Sequence, residues 1–552
     1  MQGYDRDPLI DAGHSVVPCW DELEETAFYV DAMHKSVLSW MWAQHNEHRI
    51  LFYKALFILD IRFFQGRNWR MYAAIFCSLL ALAVVFGYML HKLGDFKGPL
   101  WQACFGLTLY CLFCPSQWEN LSWAFQVSFV LVNVWVATAV LCLVLQKQRL
   151  VAGQPSGIGL LLVSFLAATA ATFTNGNGIT VWPVLVTLAL LAKLPWRLVW
   201  IYILGFVIVV PLYLIGYHSP AQHASPFASL HQPRLVLEYM AHYLGGAVVP
   251  NIHIHLAPAI GLLGLIAAVF LFFRLILQPG EKSLLEYALA GIILYSVATV
   301  LITSLGRLNF GPIQALSSRY QMFGLLFWLA LSLWIICIAA RQPTTNWLVA
   351  VYLLIVVMTC YSATRYRPIL EHIRHNTAKK ELAGVGVITG VHEMEFLQSI
   401  FPFPIAWPEV EELRPRHLSL FSTPRTAQFG LDFAQFYRTV SPDKCQGGVE
   451  AASYVGADPD DVTIRGWVVE RQTSRPVEEV VFVAGGKIVG FGVEGPERFD
   501  VANALHSQRA LYSGWIGYAK LTESRTLDFY GILNTSGHKD ACRFGAIRIG
   551  SF

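Results

Sequence analysis

The chain has 552 residues, of which 55% are apolar and only 14% charged, where about a quarter charged is usual for soluble domains. Its 40 Lys and Arg against 37 Asp and Glu leave a formal charge of +3 with no basic block, which argues against a nucleic-acid partner. No G-x-x-x-x-G-K-[ST] run occurs, and the Gly384–Gly390 stretch has the wrong spacing for a dinucleotide loop, so nucleotide-driven pumps and dinucleotide enzymes are disfavoured.

Residues 1–68 form a polar, then amphipathic segment. Trp20-Asp21-Glu22, with Glu24 and Glu25 close behind, places adjacent carboxylates beside a Trp. Such a group serves as a general base or divalent-cation site, and is equally the acidic first turn that a helix dipole favours. Next comes Gln44-His45-Asn46-Glu47-His48-Arg49. On a helix His45 would neighbour His48 and Arg49, a group suited to phosphate or to positioning a carboxylate. A metal is the alternative, although H-x-x-H lacks the pattern of zinc proteases. Ile50 to Phe64 is apolar but carries Lys54, Asp60 and Arg62, which suits a helix lying at a membrane interface.

Ten apolar runs follow, at about 69–91, 99–115, 121–145, 157–174, 178–192, 198–217, 254–277, 284–304, 318–340 and 346–363. Most approach the length of about 20 residues that crosses a hydrocarbon core. The fifth is short and opens on a Gly-rich turn, which suits tilting or re-entry. Alternate loops carry Lys92 and Lys97, Lys147 and Arg149, Lys193 and Arg197, Arg274 and Lys282, then Arg341. Basic loops stay cytoplasmic, so both termini and the remaining loops are expected outside. Residues 1–30 hold neither a signal h-region nor a transmembrane helix. The exterior N-terminal segment is therefore either exported unaided or follows a first helix that relatives carry and this chain lacks; the second is the expectation.

Two further polar groups fall at the exterior ends of these runs. Gln117, Glu119, Asn120 and Gln126 share a turn with Trp118 and Trp123, where an aromatic belt explains the Trp residues but not the others. Asn175 and Asn177 lie in the turn Thr174–Gly178, which is also ordinary tight-turn chemistry. Arg307 and Ser318-Arg319-Tyr320 break the positive-inside pattern. A guanidinium matches a phosphate bidentately, and snorkelling to lipid headgroups is the alternative.

Residues 364–444 read as a connector and 445–552 as short alternating strands, a pattern expected of a small β-sandwich. Cys445 and Cys542 lie in this polar tail and can pair in an oxidising compartment. Cys111 and Cys114 form a C-x-x-C inside an apolar run without ligand partners, which is core packing.

Trp20-Asp21-Glu22, Gln44–Arg49, Gln117–Asn120 and Ser318–Tyr320 together resemble bacterial membrane glycosyltransferases of the GT-C superfamily, in order, topology and β-rich tail, over most of the chain. The resemblance implies about ten transmembrane helices over 69–363 and a β domain over 445–552. It implies transfer of a sugar from a polyprenyl-phosphate donor to an exterior glycan or lipid acceptor, with inversion. The setting would be a bacterial inner membrane, with site and β domain on the periplasmic side. Asp21 would act as base or metal ligand, with Glu22 in support, and Mg or Mn as the only cofactor in view. Donor phosphate would fall to Arg319, Tyr320, Arg307, Arg49, His48 and His45. The substrate pocket would take Glu47, Gln117, Glu119, Asn120, Gln126, Asn175 and Asn177. Two rivals stand beside this reading: a transporter or flippase of lipid-linked saccharide, and a non-catalytic scaffold for glycan assembly.

Overall fold

The computed structural model describes residues 13–94, 96–220, 225–249, 251–278, 282–341, 346–400, 410–521, 524–535 and 538–550. The chain is mostly helical and divides into two compact units. One holds Met41–Phe57 and Met71–Ile369; the other holds Met1–Trp40, Ile58–Arg70 and Leu370–Phe552.

The main helices of the first unit are α1 (Trp69–Tyr88), α2 (Gly98–Leu112), α3 (Val127–Val151), α4 (Ile158–Thr172), α5 (Val181–Leu191), α6 (Trp196–Leu214), α7 (Pro233–Gly246), α8 (Ala257–Leu277), α9 (Leu284–Arg307) and α10 (Gln321–Ala339), together with α11 (Asn346–Thr389) as far as Ile369. Among the described residues, six helices are long and apolar enough to cross a membrane: Trp69–Leu93, Ala124–Val151, Trp196–Leu214, Ile254–Leu277, Leu284–Phe310 and Ser318–Ala339. The other four expected crossings are not among these six. Helices α2 and α4 have 15 residues each and α5 has 11. At 1.5 Å per residue they fall short of a hydrocarbon core about 30 Å thick. The run 346–363 is the apolar first half of the 44-residue α11.

Helices α3 and α10 are buried along most of their length, whereas α6 and α8 turn Trp200, Val207, Leu263 and Phe270 outward, as lipid-facing helices do. Close packing of α7 on α8 depends on glycine: a Cβ at Gly245 would lie 1.8 Å from Ala257 O, and one at Gly261 1.9 Å from Ala241 O. At the end of the bundle that carries the basic loops, the buried carboxylate of Glu286 joins three helices. It accepts from Arg274 (2.8 Å), Arg341 (2.6 Å) and Trp334 Nε1 (3.1 Å), and caps α9 through the Ser283 backbone N–H (3.1 Å).

In the second unit the polar tail folds into one sheet of eight strands, not the two of a sandwich: β1 (Arg438–Val440), β2 (Cys445–Tyr454), β3 (Asp461–Glu470), β4 (Glu479–Ala484), β5 (Lys487–Glu494), β6 (Gly514–Lys520), β7 (Thr526–Thr535) and β8 (His538–Arg548). Their order is β1-β8-β7-β4-β5-β6-β3-β2, antiparallel throughout except for β1 beside β8. Register shifts at Val449/Ala451, Phe482/Val483 and Phe529/Tyr530 curl the sheet into a half-barrel. The curl lets a disulfide join Cys445 of β2 to Cys542 of β8. Phe482, Trp515 and Phe529 fill the inside. The run Gly490–Gly495 has G-x-G-x-x-G spacing, but it lies along β5 in an antiparallel sheet, not at a strand-to-helix turn, and so makes no dinucleotide loop.

The same unit contains N-terminal chain. Ser15 Oγ donates to Glu381 Oε1 (2.7 Å), Ser419 N–H donates to Gln65 O (2.7 Å), and Arg67 reaches Ser422 O (2.8 Å). Helix Leu51–Phe64 confirms the helical reading of that stretch, but two of its charges are buried. Asp60 accepts from the Asn68 N–H (2.9 Å), and burial raises its pKa above the usual carboxylate range. Lys54 Nζ, in the first unit, donates to Ala43 O (2.9 Å).

Candidate functional site

Residues 44–49 form a tight turn, not the helix that their spacing was read to allow. His45 and His48 exchange backbone hydrogen bonds, both 2.8 Å, around Asn46 at φ 47°. Asn is one of the few non-glycine residues that takes this left-handed conformation cheaply. Gln44 fixes the turn from one side by accepting from His218 N–H (2.9 Å). Tyr213, at the end of α6, fixes it from the other: its hydroxyl donates to Glu47 O (2.9 Å) and accepts from Arg49 N–H (3.2 Å).

Thus held, Glu47 and His48 line a cleft of about 230 Å³. Its floor is the turn Gly176–Ile179 that leads into α5, and its walls are the ends of α6 and α9. Tyr217, Phe129 and Ile302 make the wall largely aromatic and aliphatic, while Asn177, Thr303 and Ser219 add polar groups. Arg307 and Tyr320 close the remaining side. Such a mixture, apolar with a few convergent polar groups, is usual for small-molecule sites.

The Gly176 backbone N–H donates to His48 Nδ1 at 3.1 Å. A nitrogen that accepts carries no proton, so the neutral ring holds its hydrogen on Nε2, which stands 3.4 Å from Glu47 Oε1. Arg307 pairs with the Glu47 carboxylate, and the two side chains are 17% and 20% exposed. The Arg307 and Arg319 guanidinium carbons lie 5.8 and 5.7 Å from the centroid of the Tyr320 ring. Tyr243 stacks on that ring at 5.2 Å. Among the described residues, the buried hydroxyls of Tyr320 and Tyr243 and the Nε of Arg319 have no hydrogen-bond partner. Burial raises the pKa of Tyr217 and of nearby Tyr239, so both stay protonated donors.

The remaining sequence candidates occupy other positions. Glu119 accepts from Ser318 Oγ (2.5 Å) and Arg319 N–H (2.9 Å), Asn120 donates to Arg319 O (3.1 Å), and Gln117 donates to Leu112 O (2.7 Å). Glu119 and Asn120 thus brace the 318–320 turn. Gln126 is buried at the start of α3. Asn175 caps the cleft floor by accepting from Asn177 N–H (3.1 Å). Arg49 is spent on carbonyls of Tyr213 (Nε, 2.6 Å), Trp42 and Ile215, and burial lowers its pKa. His45 is buried against Phe125, with ring centroids 5.1 Å apart.

Asp21 and Glu22 belong to the other unit, at the first turn of helix Asp21–His34. Glu22 is buried and its Oε1 accepts from Asn68 Nδ2 (2.5 Å). Asp21 is the first residue of that helix and is only partly buried.

The sequence reading missed Tyr213, Tyr217, Phe129 and Ile302 as wall residues. Tyr213 and Tyr217, four residues apart at the end of an apolar run, were the available signal. No family model, curated protein or solved structure matches the chain.

Proposed function

We propose that the protein is a membrane glycosyltransferase that moves a sugar from a polyprenyl-phosphate donor to a glycan or lipid acceptor, with inversion. The observation that carries this reading is the cleft: Arg307 and the His48 Nε2–H converge beside an aromatic wall at one end of a bundle of apolar helices. Guanidinium and imidazole donors suit a phosphate that gains charge as it leaves. Tyr217 and Phe129 offer faces for a sugar ring, and Asn177 offers polar contacts. In the transfer, the acceptor oxygen bonds to the anomeric carbon while the bond from that carbon to the phosphate oxygen breaks. The phosphate keeps the electron pair, and a carboxylate takes the acceptor's proton, a role that the resemblance gives to Asp21.

The cleft lies at the end of the bundle opposite Lys92, Arg149, Arg197, Arg274 and Arg341. By the positive-inside rule it then faces the exterior of a bacterial inner membrane. The Cys445–Cys542 disulfide supports an oxidising side for the β domain. A magnesium or manganese ion on Asp21 enters through the resemblance.

A second reading, transport of a lipid-linked saccharide, is favoured by one observation. The short helices α4 and α5 meet at the cleft floor, as the broken helices of transporters do. Incubating purified protein in lipid with labelled polyprenyl-phosphate sugars separates the two. The enzyme reading expects chemical transfer, lost in Asp21→Asn and reduced by about a hundredfold or more in Arg307→Ala. Movement of intact label across the bilayer without transfer supports the transporter.

A further inference from the structure

The anion seat of the cleft is taken by the protein's own carboxylate, because Glu47 pairs with Arg307. That arrangement has a cost that needs a reason, since a phosphate must displace Glu47 to reach the guanidinium. The surroundings supply one. Arg307 stands three residues from the end of the apolar stretch Leu284–Phe310, and Leu301, Ile302, Phe310 and Ile313 beside it are between 39% and 78% exposed. Leu214 and Ile215, across the mouth of the cleft, are similarly outward. An arginine in such a position meets the phosphates of ordinary bilayer lipids, which are present in great excess over any specific donor and match a guanidinium equally well.

We propose that Glu47 is a specificity residue: an internal anion that keeps bulk phospholipid phosphates off Arg307. A headgroup gains only one guanidinium contact and must displace a carboxylate already held in place by the 45–48 turn and Tyr213. A ligand that also fills the cleft gains contacts with Tyr217, Phe129 and Asn177, and these offset the displacement. Discrimination then comes from a repulsive and competing element as well as from attractive contacts. The proposal rests on the phosphate-site reading of the cleft, but its test needs neither donor nor turnover.

The groups facing the Glu47 carboxylate are Arg307 from α9, His48 from its own turn, Tyr213 and Tyr217 from the end of α6 and beyond, and Tyr320 before α10. Protein purified in detergent is exchanged into phosphatidylglycerol-containing micelles, and retained lipid is counted by native mass spectrometry. Glu47→Gln should retain about tenfold more phosphatidylglycerol than wild type, and Arg307→Ala added to Glu47→Gln should cancel the gain. Glu47→Asp, which keeps the charge, should stay near wild type. Equal or lower retention in Glu47→Gln overturns the proposal, since it would make Glu47 merely an anchor for Arg307. If these results hold while no polyprenyl-phosphate sugar binds, the specificity role stands and the donor assignment fails.

Discussion

Gly176 has no room for a side chain. A Cβ there would stand 2.6 Å from His48 Nδ1 and 3.2 Å from Glu47 O, so Gly176→Ala must push the imidazole out of its bond with the backbone N–H. We expect that variant to fold, because the turn itself is intact, but to lose transfer by about a hundredfold, the usual effect of misplacing a site group by an ångström. A labelled-donor assay beside a melting curve checks both parts. At this scale the sequence exposed the chemistry but not the geometry. Glu47, His48, Arg307 and Tyr320 were legible as polar groups where lipid makes polarity expensive. That Arg49 would be consumed by three carbonyls, and Glu119 by Ser318 and Arg319, depended on long-range contacts across as many as 200 positions of sequence. Local spacing carries no trace of such partners. The Asn46 turn was a local signal passed over, because helical spacing of the histidines was read ahead of the asparagine's tolerance for positive φ.

Among the elements, α9 is fixed at one end by a charge and at the other by the cleft. Removing the Glu286 side chain strands Arg274 and Arg341 without their shared carboxylate. Glu286→Ala should therefore destabilise the bundle by about 3–5 kcal/mol, read as a fall in the unfolding midpoint in detergent, whereas a surface Glu such as Glu497 should tolerate the change. In the half-barrel, burial pushes the Glu494 carboxyl up to about 8, with Glu478 and Glu479 adding to the shift and Arg425 opposing it. A folded-state pKa above the unfolded value stabilises below the unfolded pKa and is lost as pH rises through the folded one. Stability of this unit should thus decline between about pH 5 and about pH 8. Glu494→Gln should flatten that dependence in pH-resolved thermal unfolding. Short alternating strands were legible over 445–552, whereas β1 and β2 do not stand out by alternation. The three-residue β1 gains its place only by pairing with β8, and Gly447 and Gly448 blur the alternation of β2.

At the scale of the whole molecule, composition identified a multi-pass membrane protein, and the six long apolar helices agree with it. Hydropathy measures apolarity rather than length, so it marks ten runs where six helices among the described residues are long and apolar enough to cross. Helices α2, α4 and α5 are apolar enough but too short, and two of them end where the cleft floor begins. The half-barrel was taken for a sandwich because both give the same alternation along each strand, and only the pairing order separates one rolled sheet from two stacked ones. The pairing of residues 13–40 and 58–70 with the polar tail in one unit was equally invisible to local pattern. The central claim is that the cleft around Arg307, His48 and Tyr217 binds a sugar phosphate carried on a lipid. Its most direct test is equilibrium binding of a labelled polyprenyl-phosphate sugar to wild type and Arg307→Ala in nanodiscs, with both shown to be folded. The account predicts saturable binding by wild type that weakens about a hundredfold in the variant; equal binding by the two proteins would contradict it.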